Sequence, residues 1–124
     1  MNRPQTLPPS LCARKRYLVY EVIADEKLIF PDLANAMWHS MLNFLGENGA
    51  AKAGIWIIGD TYSQERKSGL LRCNHMYVED VRASLALVQR IGDAPVIIRV
   101  VGISGTLKAA KKKFFGEKDL MNYA

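Results

Sequence analysis

Tyr77-Val78-Glu79-Asp80-Val81-Arg82-Ala83-Ser84-Leu85-Ala86-Leu87 has the spacing of an amphipathic helix, with Val78, Val81, Leu85 and Val88 at i, i+3, i+7 and i+10. After a turn over Gly92 to Pro95, the β-branched run Val96-Ile97-Ile98-Arg99-Val100-Val101-Gly102-Ile103 reads as a strand. Ser104-Gly105-Thr106-Leu107 follows, and the Lys-rich run Lys108 to Lys113 closes the unit. Backbone N–H groups, a helix start and lysines gathered at one end of the fold suit an anionic partner, most simply a phosphate backbone.

Working outward, Tyr17 to Ala24 alternates Leu18, Tyr20 and Val22 with Tyr17, Val19 and Ile23, and only Glu21 is charged. A strand apolar on both faces belongs inside a sheet. Pro31 and Asp32 open a helix in which Leu33, Met37, Met41 and Leu45 recur every four residues, and Gly46 and Gly49 are expected to end it. Ile55 to Tyr62 is a second strand, Thr61 to Ser68 a polar loop and Gly69 to Cys73 a third strand. Asn74 is placed as the N-cap of the second helix. The short connection between the strands at Ile55 and Leu70 requires antiparallel pairing.

The order is β-α-β-β-α-β followed by a terminal helix. It predicts an α+β, ferredoxin-like (RRM-like) sandwich: a four-stranded antiparallel sheet, two helices on one face and a C-terminal basic helix. The 124 residues make one domain, with a core over about 14–115 and an N-terminal extension over 1–13. In this reading the first and fourth strands stand at opposite edges or one strand apart, so flanking segments must bring the chain ends together.

Composition narrows the function. Hydrophobic residues make up 49% and charged residues 23% of the chain, as in a soluble globular protein. Apolar runs fall short of a bilayer span and the N-terminus has no apolar signal core, so a cytoplasmic protein without membrane contact is expected. Cys12 and Cys73 are far apart and form no Cys-x-x-Cys pair; Cys73 reads as a small buried hydrophobe. The net charge is +5, with six basic against two acidic groups in residues 96–124 and five against three in residues 1–30. Two basic ends on one face would form a nucleic-acid footprint.

A catalytic set is not expected. His39 lies inside the first helix and His75 in a turn, and the pair His75 and Glu79 falls short of the three or four ligands of a metal site. Asp60 and Glu65 read as solvated loop charges. The third strand has no aromatic residue, and Tyr17 and Tyr20 point to opposite faces, so base stacking in the RRM manner is not expected. RNA contact falls instead to Arg14, Lys15 and Arg16, the Ser104-Gly105-Thr106 turn, and Lys108, Lys111 and Lys112. In the last helix Leu107, Ala110 and Phe114 form an apolar stripe, with Lys108 and Lys112 together on the solvent face and Lys111 at its border.

Several stretches resemble a known family. Leu7-Pro8-Pro9-Ser10-Leu11 with Arg14-Lys15-Arg16-Tyr17 is similar to the opening of archaeal ribonuclease P protein component two, the Pop-five-type subunit family. Leu45-Gly46, Gly49-Ala50 and Lys52-Ala53 are similar to its first helix end. Arg72-Cys73-Asn74, Tyr77-Val78, Val81-Arg82-Ala83-Ser84-Leu85 and Gly102-Ile103-Ser104-Gly105-Thr106-Leu107-Lys108 resemble its later signatures. The resemblance covers roughly residues 7–115. It implies an accessory subunit of the ribonucleoprotein whose RNA, with magnesium, removes the 5′ leader from precursor tRNA. No cofactor is expected on the protein itself. The implied partners are ribonuclease P RNA, the TIM-barrel protein component three, other ribonuclease P proteins and a second copy of the chain. Trp38, beyond the main stripe of its helix, is expected at a protein interface or in the core. The alternatives are a free-standing ferredoxin-like regulatory domain binding a small anion at Ser104 to Thr106, and a single-strand RNA binder.

Overall fold

The computed structural model describes residues 14–114, with side chains through Lys112. The N-terminal extension with Cys12, and the side chains of Lys113 and of Phe114 in the expected stripe, lie outside that description. The elements are β1 (Lys15–Ile23), α1 (Phe30–Ala53), β2 (Trp56–Ser63), β3 (Ser68–Asn74), a 3-10 turn (His75–Tyr77), α2 (Val78–Ala86), β4 (Arg90–Ile91), β5 (Ala94–Pro95), β6 (Ile97–Ser104) and α3 (Leu107–Phe114). The main sheet is antiparallel throughout, in the order β2-β3-β1-β6.

The central strand is the one whose sequence is apolar on both sides. Leu18, Tyr20 and Val22 meet Leu33, Met37 and Met41 of α1 and Val81 and Leu85 of α2. Val19 turns the other way, onto Ile58, Leu70 and Ala110 of α3, with Tyr17 and Leu107 at the border. Period-two alternation therefore divides the side chains of β1 between two apolar layers. A bulge in β6 preserves this division. Gly102 pairs with Val19 and Val100 with Tyr20, so Val101 is the extra residue. Ile98, Val100 and Ile103 consequently all reach the α1/α2 layer, which an unbroken alternation would forbid.

Four expectations are corrected. First, α1 does not stop at Gly46 or Gly49. Gly46 is a kink with φ 75° and ψ 170°, helix resumes through Gly49, and Gly54 ends it in the left-handed region at φ 59° and ψ 46°. The helix continues because Ala50 and Ala53 beyond the kink are buried. Secondly, Asn74 does not cap a helix with its side chain. It is 2% exposed, accepts a hydrogen bond from Lys15 Nζ at 2.5 Å, and donates from Nδ2 to the Lys52 carbonyl at 2.5 Å. Burial makes it a joint between β1, β3 and the end of α1.

Thirdly, β2 runs through Thr61 and Tyr62 and on to Ser63, so the polar loop starts after Ser63 rather than at Thr61. The Thr61 hydroxyl donates to the Ile58 carbonyl at 2.6 Å and accepts the Leu70 N–H at 2.9 Å, bridging an irregularity in the β2–β3 ladder. Fourthly, the Gly92 turn is the tip of a two-residue hairpin in which Arg90 pairs with Pro95 and Ile91 with Ala94. Gly92 takes φ 62° there, as such tight turns require.

Candidate nucleic-acid interface

The register of β1 against β6 builds the site. Tyr17 pairs with Ser104 and Leu18 with Ile103, so Arg14-Lys15-Arg16 enters β1 at the end of the sheet where Ser104-Gly105-Thr106 leaves β6. The expectation that the first and last main strands stand apart is therefore corrected: they are hydrogen-bonded neighbours. The chain ends need no extra segment to meet, because α2 and the small hairpin return the chain to the open side of β1.

The six candidate cations differ in what they do. Arg14 is exposed. Lys15 is half-buried and its ammonium donates to Asn74, so it holds the fold as well as carrying charge. Arg16 is half-buried and donates from Nη1 to the Lys15 carbonyl at 3.0 Å. Lys108, Lys111 and Lys112 are all exposed on α3, while Ala110 between them is fully buried and Leu107 half-buried. The helix is amphipathic as its spacing required, with the apolar side on the sheet and the ammonium groups in water.

The turn that starts α3 is already hydrogen-bonded. Thr106 Oγ1 accepts the Ala109 N–H at 3.1 Å, and the Thr106 carbonyl accepts the Ala110 N–H at 3.0 Å. Thr106 is thus the N-cap of α3. A hydroxyl engaged in capping is less available to an anion, which weakens the small-anion alternative. Gly105 has open space around it.

The sheet face away from α1 and α2 is partly covered by α3. Tyr20 is fully buried on the opposite face, and burial pushes its phenol well above the usual tyrosine range. A row of residues at the edge of this cover escaped the sequence reading. Trp56, opposite Arg72 on β3, is 48% exposed, and the Arg72 guanidinium carbon lies 4.8 Å from the indole centroid. A regular ladder counted from the Ser63–Ser68 pair would set Trp56 against His75; the irregularity after Ile58 sets it against Arg72. The exposed indole was visible in the sequence only as a large apolar residue.

His39, His75 and Glu79 are exposed, as are Asp60 and Glu65. Cys73 is buried, and desolvation pushes its thiol up to about 12. Trp38 is 39% exposed on α1 and takes no part in either apolar layer.

These features define an α+β domain with a four-stranded antiparallel sheet and a basic end. The profile of the Rpp14/Pop5 family matches residues 16–115. Ribonuclease P protein component 2 of Pyrococcus furiosus is 40% identical over 94% of this chain and 95% of its own length. The protein of the same name from Methanocaldococcus jannaschii is 36% identical over 92% of this chain and 82% of its own. Among solved structures, a chain of yeast ribonuclease MRP superposes with a TM-score of 0.47 at 14% identity, covering 90% of this chain and 95% of that one. The chain belongs to the Rpp14/Pop5 family.

Proposed function

We propose that the chain is a protein subunit of ribonuclease P, the ribonucleoprotein that removes the 5′ leader from precursor tRNA, and that it supports the RNA through its basic end. The Tyr17–Ser104 pairing carries this reading, because it brings the Arg14–Arg16 segment and the start of α3 to one end of the sheet. Arg14, Arg16, Lys108, Lys111 and Lys112 contact phosphates, with Lys15 contributing charge while it holds Asn74. Ser104, Gly105 and Thr106 approach the backbone between them.

In this reading the chemistry belongs to the RNA and its magnesium ions, and the protein acts in the cytoplasm. The sheet order and the two helices on one face support a ferredoxin-like (RRM-like) classification. Other ribonuclease P proteins and the RNA are its partners. Among the proteins, the TIM-barrel component three and a second copy of this chain complete the proposed set. The exposed Trp38 face is the place proposed for a protein partner.

The test is reconstitution. The full chain alone should leave precursor tRNA intact, and together with its partner proteins it should raise cleavage by the RNA subunit. Cleavage by the RNA that is indifferent to the chain would overturn the reading. For the partner face, Trp38→Ala should abolish capture of component three without lowering the melting temperature; unchanged capture would remove Trp38 from the interface.

A further inference from the structure

Antiparallel register places Trp56 on β2, Arg72 on β3, Tyr17 on β1 and Ser104 on β6 in one row across the sheet. Alternation puts the row on the α3 side, with Val19, Ile58 and Leu70. Trp56 is 48% exposed and Tyr17 half-buried. The Arg72 guanidinium stacks on the indole, and its Nε is buried with no hydrogen-bond partner among the described residues. An aromatic face, rather than an acceptor, therefore holds that edge of the arginine.

We propose that Trp56 and Arg72, with Tyr17 at their inner border, form a platform on which an unpaired nucleobase of RNA stacks. The proposal deepens the RNA-supporting reading above and rests on it. A flat indole backed by a cation suits a π-faced, anionic ligand better than an aliphatic protein knob. Charge complementarity names the same occupant. The row contains no carboxylate and ends at Ser104, where Arg14 and Lys108 supply exposed positive charge for the flanking phosphates. The indole of the platform stands on β2, so it differs from an RRM surface, whose stacking aromatics stand on its first and third strands.

The experiment titrates the full chain with a short unstructured oligouridylate and, separately, with ribonuclease P RNA. Trp38→Phe is the background, so that Trp56 reports by fluorescence among the described residues. Stacking predicts quenching of Trp56 by the oligonucleotide. By filter binding of labelled RNA, Trp56→Ala should weaken binding about ten-fold, whereas Trp56→Phe should retain most of it and the salt dependence should stay as in the parent. A parent that binds neither RNA defeats the RNA-supporting reading and the platform with it. A parent that binds with steep salt dependence, while Trp56→Ala binds equally well, defeats the platform alone. Loss of component three from Trp56→Ala in a chain that keeps Trp38, with RNA binding intact, would assign the row to a protein instead.

Discussion

The Gly69 backbone passes directly beneath the Tyr20 hydroxyl: a Cβ at Gly69 would stand 2.6 Å from Oη and 2.9 Å from Cζ. Gly69 does not need a positive φ, so packing alone demands glycine here. Tyr20 is fully buried and its hydroxyl has no hydrogen-bond partner among the described residues. Gly69→Ala should therefore cost about 2–4 kcal/mol in urea denaturation. Tyr20→Phe should be neutral or stabilising by up to about 1 kcal/mol, since it removes a desolvated hydroxyl. In the Tyr20→Phe background Gly69→Ala should cost less, though not nothing, because the Cζ contact persists. Strictly additive costs would show that the two residues do not oppose each other.

Asn74 separates a joint from a cap. Its amide links Lys15 to the Lys52 carbonyl. Asn74→Ala should destabilise the fold by about 2–3 kcal/mol. Asn74→Ser would restore a helix cap, yet should recover little, because the shorter side chain cannot span both partners. Full recovery of the melting temperature by serine would return Asn74 to a capping role.

Stability should fall on the alkaline side. The Cys73 thiol is raised from near 9.0 to about 12 by burial, so the folded state holds a proton that the unfolded state releases earlier. The stabilisation is complete below about pH 9 and is lost as pH rises toward about 12. Tyr20 acts in the same direction, starting near 10.0, the usual tyrosine value. Urea midpoints measured from about pH 8 to about pH 11 should decline, and Cys73→Ala should flatten the first part of the decline. In a Cys12→Ser background, Cys73 should react with a thiol reagent only on unfolding; fast labelling of the native protein would contradict its burial.

Salt and charge reversal test the basic end. If about four cations meet phosphates, the logarithm of the RNA binding constant should fall against that of salt concentration with a slope of about −3 to −4. Lys108→Glu with Lys112→Glu should weaken binding strongly and leave the melting temperature unchanged, because both side chains are exposed. Lys15→Gln should behave differently, lowering stability as well, since its ammonium reaches Asn74. Salt-independent binding, unchanged in the double variant, would leave the partner subunits to hold the RNA.

Much of this architecture was legible along the chain. Two-sided apolarity from Leu18 to Val22 marked the interior strand, and Leu33, Met37, Met41, Val81 and Leu85 marked the helix faces that became the core. The amphipathic α3, with Ala110 down and its lysines out, was readable in the same way. The basic residues of the candidate site were all visible as residues. Their meeting at one face was expected as well, but by way of flanking segments, because the sequence does not show that β1 and β6 are direct neighbours.

The sequence by itself determined the order of elements and which side of each faces apolar surroundings, because both depend on a periodicity of two or 3.6 residues that is written locally. Tertiary structure alone decided the rest. Helix α1 runs past the kink at Gly46 because Ala50 and Ala53 find a buried surface there, a gain that the local helix-breaking tendency of glycine does not register. Asn74 became a joint because Lys15 and the Lys52 carbonyl, distant in sequence, arrived beside it. The bulge at Val101 and the irregularity after Ile58 set which residues stand opposite each other, and so placed Trp56 against Arg72 and Tyr17 against Ser104. Register is a property of pairs of strands, selected by the packing of both sheet faces together, and no single strand carries it.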